Sequence, residues 1–281
     1  MFEGLIDYWK TIDLGKENDL VHESDKNLEE DNNQRLEEYK LHFELFPEPF
    51  NGNLRDPKIV FLFLNPGYNK ADNGVKERDD FRADVKKAFC QNYTDKDKYP
   101  FLWLNPEYNQ CNDGYTRREV NERNGCNPGA YYWNKLFDQK TGKSFMKNLY
   151  DEYQEPFCEK TRISIANNYH EAREWIAHNV CDIELFPYHS KKFHYSFSSC
   201  RSSEVARCNV FKEIKDHDDV LFIFMRSINL WTKGCDEWEK LLKKSNVIIN
   251  PCPRNPSLNP DKNLGSMIVK YLLPKRFNQN A

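Results

Sequence analysis

The sequence lacks any hydrophobic run long enough to cross a bilayer. Its longest purely aliphatic or aromatic stretches are Ile59–Leu64 and Val220–Met225, against the roughly 20 apolar residues that a spanning helix needs. Its start, MFEGLIDYWK, has no basic region followed by an apolar core, so no secretory signal is expected. The nine cysteines are odd in number and include no CxxC pair. A disulfide framework and a zinc ribbon are therefore disfavoured, and reduced thiols in the cytoplasm, or in the nucleus of a eukaryotic cell, fit better. Cys90, Cys111, Cys126 and Cys158 match no compact iron–sulfur ligand spacing. Asp216, Asp218 and Asp219 around His217 read as a solvated turn before a strand, not as a metal site. No metal and no cofactor is expected. Internal repeats and low-complexity segments are also missing.

What is present is a chain of 281 residues, 39% apolar and 30% charged, long enough for a substantial core. A single domain over 1–281, acting as a monomer, is the expectation. The net charge of −3 conceals a segregation. Residues 1–57 carry 15 acidic and 6 basic side chains, a balance of −9, and residues 243–281 carry 7 basic and 1 acidic, a balance of +6. The basic end suits a polyanion, and equally a solvated face.

Residues 24–45 predict a helix, with Ser24 as its cap and Leu28, Leu36, Tyr39, Phe43 and Leu45 as an imperfect apolar stripe, within an acidic amino-terminal extension (1–45). FPEPFNGN then reads as a proline-rich loop, and KIVFLFL as a strand buried on both faces, because it does not alternate. Three further units repeat one pattern of helix, short link and apolar run. They are 167–180 before CDIELFPYHS (181–190), 203–215 before DDVLFIFMRS (218–227), and 235–244 before NVIINPCPRNPS (246–257). The tail NLGSMIVKYLLPKRF reads as a closing helix. This pattern predicts an α/β fold with a mainly parallel, four-stranded sheet. A long insertion (about 70–165) separates the first strand from the second. It contains a charged helix near 80–90 and an Asn-Pro at 105–106 that reads as a turn.

In open parallel sheets, ligands bind beyond the carboxyl ends of the strands. Two of the four predicted ends carry Asn-Pro: LNPGY (64–68) and NPCPRNPSL (250–258). An apolar strand ending in Asn-Pro-Gly, with a late strand ending in NPxPRNPS, resembles the uracil-DNA glycosylase superfamily, in particular its mismatch-type branch. The resemblance covers roughly residues 45–69 and 165–273, and not the insertion. It implies a three-layer α/β/α sandwich and a hydrolase without cofactor that flips a nucleotide from DNA and cleaves its N-glycosidic bond.

On that resemblance Asn65 positions the attacking water, since an amide orients water and takes no proton at neutral pH. Pro66 and Gly67 fix the loop, and Tyr68 shapes the base pocket. Either Asn250 or Asn255 assists the departing base, depending on which Asn-Pro is the second motif. Arg254 and Ser257 then contact phosphate and Leu258 wedges into the vacated stack. Phe186, Tyr188 and His189 stand where relatives read the base edge, yet no amide sits at that strand end. Lys191, Lys192 and Arg201, interleaved with aromatics, suit single-stranded or locally opened DNA. The histidine of fast uracil enzymes is missing from both registers of the second motif. Two readings stay open: a glycosylase for a damaged, mismatched or modified base, and a binding module that keeps the fold without hydrolysis. In a third, both Asn-Pro stops are turns on an unrelated α/β protein.

Overall fold

In a computed structural model, residues 1–15, 19–68, 85–92, 179–251, 253, 264–265 and 267–268 are described. The sheet has five strands: β1 (Phe50–Gly52), β2 (Ile59–Phe63), β3 (Val180–Glu184), β4 (Leu221–Phe224) and β5 (Val247–Ile249). Their order is β1-β3-β2-β4-β5, with β1 antiparallel to β3 and every other pairing parallel. The four apolar runs of the sequence are thus β2 to β5. The fifth strand corrects the expected count. Phe50–Gly52, expected to be loop, pairs antiparallel with β3 and sets Phe50 opposite Ile183. Three residues are too few to show an alternation, and the flanking prolines suit the edge of a sheet, where a missing N–H costs nothing.

Every residue of β2, β3 and β4 is buried, as expected of central strands whose two faces are both covered. Because side chains alternate along a strand, the register assigns them to faces. Phe61, Asp182 and Ile223 share one face, joined by Asn51 opposite Asp182 and by Phe63 beside Glu184. Val60, Leu62, Ile183, Phe222 and Phe224 occupy the other.

The α-helices that lie wholly within the described residues include α1 (Glu3–Trp9), α2 (Asn27–Asn32), α3 (Arg201–Asp216), α4 (Ile228–Trp231) and α5 (Trp238–Leu241). Helix α3 buries Ala206, Val210 and Ile214, spaced four apart on one face. Its Phe211 meets Trp238 of α5 edge-on at 5.1 Å, and Trp238 meets Phe224 of β4 at 6.0 Å. Helix α1 packs against α3 as well, and the Phe2 N–H donates to Glu213 Oε1 at 2.8 Å. The start of α3 is held by Asp25, which is wholly buried. Asp25 Oδ1 accepts from the Ser202 N–H at 3.2 Å, and its Oδ2 accepts from the Tyr188 hydroxyl at 2.9 Å. A carboxylate there meets the positive end of the helix dipole.

The helix expected over 24–45 is broken. A 3-10 turn (Glu23–Asp25), α2 and a second 3-10 turn (Glu37–Tyr39) replace it, followed by an isolated bridge between Leu41 and Ser190. The cause is Asn32, whose side chain accepts from the Leu41 N–H at 2.8 Å and donates to the Leu41 carbonyl at 2.9 Å. An asparagine that offers the backbone such partners competes with the helix. Helix 235–244 is likewise shortened to α5. The charged helix near 80–90 is helical over 85–89, and helix 167–180 falls almost wholly outside the described residues. Among the described residues no helix is long and apolar enough to cross a membrane.

Candidate functional site

The connection from β2 leads to β3 on one side, and the connection from β4 leads to β5 on the other. The sheet therefore reverses between β2 and β4, where an open α/β sheet forms its crevice beyond the carboxyl ends. Four loops meet there: Asn65–Tyr68 after β2, Leu185–Ser190 after β3, Arg226–Ser227 after β4 and Asn250–Pro251 after β5. The segment Phe46–Pro49 joins them, because β1 runs antiparallel and starts at this rim. Ser227 adopts a left-handed conformation (φ 53°, ψ 44°), rare for a residue with a side chain.

Asn65 is half-buried, and its amide orientation follows from its neighbours. The Ser190 hydroxyl donates to the Lys192 carbonyl at 3.0 Å, so its oxygen is free to accept from Asn65 Nδ2 at 3.3 Å. That leaves Asn65 Oδ1 without a hydrogen bond among the described residues, available to a water. Gly67 has φ 77°, which a side chain disfavours, and a Cβ built there would meet nothing within 4 Å. Glycine is required at this position by the backbone, and open space lies beside it. Tyr68 is half-buried and stacks on His42 with centroids 3.3 Å apart and planes 4° from parallel. His42 Nδ1 lies 2.8 Å from Glu44 Oε1.

His189 ties the rim together. Its Nδ1 is 2.8 Å from the Gly67 carbonyl and its Nε2 is 2.9 Å from the Phe46 carbonyl. A neutral imidazole donates from one nitrogen only, so the ring donates to one of the two carbonyls when neutral and to both when protonated. Glu48 Oε1 lies 3.5 Å from Nε2. His189 is buried, and its contacts make it the brace of the Asn-Pro-Gly loop, not a reader of bases.

Other expected site residues stand elsewhere. Phe186 is fully buried and stacks on Phe197 at 4.6 Å, and Tyr188 is buried with its hydroxyl on Asp25. Burial raises the Tyr188 phenol well above its ordinary pKa, with the Asp25 charge adding to the rise. Both rings belong to the core and are corrected from pocket wall to packing. Sequence gave no warning, because a buried and a stacking aromatic are written alike. Lys192 pairs with Glu38 at 2.6 Å and Arg201 with Glu204 at 2.8 Å, both at the surface, while Lys191 is exposed. Asn250 is buried. Its N–H donates to the Phe224 carbonyl at 2.9 Å and its Nδ2 to the Met225 carbonyl at 3.3 Å, which anchors the end of β5 to β4. Asn255, Arg254, Ser257 and Leu258 lie outside the described residues.

The structure also brings forward two residues that sequence reasoning passed over. Asp182 and Glu184 sit on one face of β3, both buried. Asn51 Nδ2 donates to Asp182 Oδ2 at 3.2 Å, yet Asp182 Oδ1 and Glu184 Oε2 have no hydrogen-bond partner among the described residues. Burial raises the pKa of both carboxyls well above the ordinary range. The Glu48 charge adds to this at Asp182, and the charges of Asp182 and Glu48 add to it at Glu184, against the opposing pull of Arg226. The signal was legible in CDIELF, where two acids alternate in an otherwise apolar strand. Among the described residues no group of three His, Cys, Asp or Glu side chains is arranged to hold a metal ion.

These features define an open-sheet α/β protein with a polar rim at its topological switch point. Compared with family models, curated proteins and solved structures, the chain matches none of them.

Proposed function

We propose that the chain is a monofunctional DNA glycosylase of the uracil-DNA glycosylase type, built as a three-layer α/β/α sandwich. It cleaves the N-glycosidic bond of a flipped-out damaged, mismatched or modified base. The observation that carries this reading is Asn65 at the carboxyl end of the central strand, its Nδ2 held by Ser190 and its Oδ1 left to orient a water. Open space beside Gly67 suits close approach of a flipped nucleotide. Exposed Lys191 and Tyr195 offer a phosphate contact and a stacking face. Free thiols at Cys90, Cys181, Cys200, Cys208 and Cys235 fit a reducing compartment such as the cytoplasm.

The test is an assay on labelled oligonucleotides containing uracil, G·U and G·T mismatches, hypoxanthine or 5-hydroxymethylcytosine, with alkali revealing abasic sites. Wild type is expected to cleave at least one substrate, and Asn65→Ala to lose about 10²-fold or more of that rate, the scale of removing one positioned catalytic group. A second reading, a nucleic-acid-binding module without hydrolysis, is favoured by Asn250, whose amide is taken up by the Met225 carbonyl. Retained DNA binding with no cleavage of any substrate supports that module. Loss of both returns Asn65 to a strand-terminal turn.

A further inference from the structure

Among the described residues, the candidate site set out so far has a water-positioning amide and no assigned proton donor. Asn65 neither gives nor takes a proton at neutral pH, and the ring of His189 is committed to two carbonyls. Departure of a base without a proton is feasible where the anion is stable, as for uracil. Purines and aminopyrimidines leave well only when a ring nitrogen is protonated first, and their hydrolysis calls for a general acid.

Glu184 meets the requirements of such an acid. It is the last residue of β3, in register with Phe63 on the neighbouring strand, and Asn65 follows Phe63 by two residues. Its N–H is fixed on the Pro49 carbonyl at 3.0 Å, which holds the strand end in place. It is 9% exposed against 3% for Asp182, so it is the outer member of the pair, and its Oε2 has no partner among the described residues. A buried carboxyl with an unpartnered oxygen is costly as an anion and inexpensive as an acid. Among the described residues, Asp182 on its own strand and Glu48 from the segment before β1 oppose its ionisation, and Arg226 beyond β4 pulls the other way.

We infer that Glu184 donates the proton to the departing base, and that the substrate is therefore a nucleotide whose base leaves only after protonation of a ring nitrogen. This rests on the glycosylase reading above. In the step, the bond between C1′ and the base nitrogen breaks with its electron pair going to the base. The base takes the Glu184 proton and departs neutral. Water held by Asn65 then bonds to C1′, and its surplus proton returns to the Glu184 carboxylate.

The experiment compares wild type, Glu184→Gln and Asn65→Ala in single-turnover excision. Hypoxanthine, adenine and 5-hydroxymethylcytosine probe protonation-dependent departure, uracil probes anionic departure, and 7-methylguanine already carries the activating charge. Glu184→Gln keeps the shape and the neutral charge. It is expected to lose about 10²–10⁴-fold on the protonation-dependent base and to change 7-methylguanine excision by no more than about threefold, well inside that range. Equal losses on both classes, or no loss on either, overturn the proton donor, as does wild-type excision confined to uracil. Infrared spectroscopy at neutral pH gives an independent readout. A protonated-carboxyl band that disappears in Glu184→Gln is expected, and its absence from wild type overturns the donor while leaving the glycosylase reading intact. Failure of wild type on every substrate overturns the glycosylase reading itself, and this inference with it.

Discussion

At Asn65 the chemistry depends on which way a single amide faces, and Ser190 decides it by accepting from Nδ2. The position of Asn65 was legible in the sequence, because an unbroken apolar strand ending in Asn-Pro-Gly leaves little doubt about where the strand stops. Its orientation was not, because Ser190 is 125 residues away. Tyr188 was misread for the same reason, since its partner Asp25 is 163 residues distant. His189 is the sharpest case. Removing its ring takes a hydrogen-bond partner from the buried Phe46 carbonyl and from the part-buried Gly67 carbonyl, and an unsatisfied buried polar group costs roughly 1–3 kcal/mol. His189→Ala is expected to lose about 2–4 kcal/mol in urea unfolding, on the same principle. An unchanged midpoint would mean that water replaces the ring and that the brace is dispensable.

Among the elements, α3 was read almost to its ends, because a 16-residue helix carries several turns of apolar spacing. Shorter elements escaped. β1 has three residues and α4 four, too few for any period to show. Helix α4 nevertheless matters, since its Trp231 Nε1 donates to the Phe63 carbonyl at 3.0 Å and closes the end of β2. The start of α3 depends on Asp25. In Asp25→Asn, one oxygen can still accept from Tyr188, but the amide NH₂ then faces the Ser202 N–H and the anion at the helix start is gone. A loss of about 1–3 kcal/mol is expected, measured by urea unfolding, with hydrogen exchange quickening first in the initial turn of α3. Exchange that quickens uniformly along the chain would argue against a local cap.

For the whole molecule, the buried acids couple stability to pH. Asp182 and Glu184 have raised pKa values in the fold, whereas the unfolded chain releases their protons above pH about 4. Between those limits the native state binds more protons than the unfolded one, so stability falls as pH rises. The contribution is fully present below pH about 4 and is lost as pH climbs through the raised values. Urea midpoints taken from pH 5 to 9 are expected to decline in wild type and to decline less in Asp182→Asn and Glu184→Gln. Equal slopes in all three proteins would show that these carboxyls ionise freely. The sequence by itself determined the α/β class, the four parallel strands and the carboxyl rim where the Asn-Pro loops stand, because hydrophobic runs and turn residues are local signals. Only the tertiary structure decided that β2 lies between β3 and β4, that Tyr188 faces Asp25, that Asn32 folds the chain back at Leu41 and that Glu48 and Arg226 stand near the two acids of β3. Each of these depends on groups distant in sequence, whose meeting fixes burial, hydrogen-bond partners and charge state at once, and no local pattern encodes that meeting.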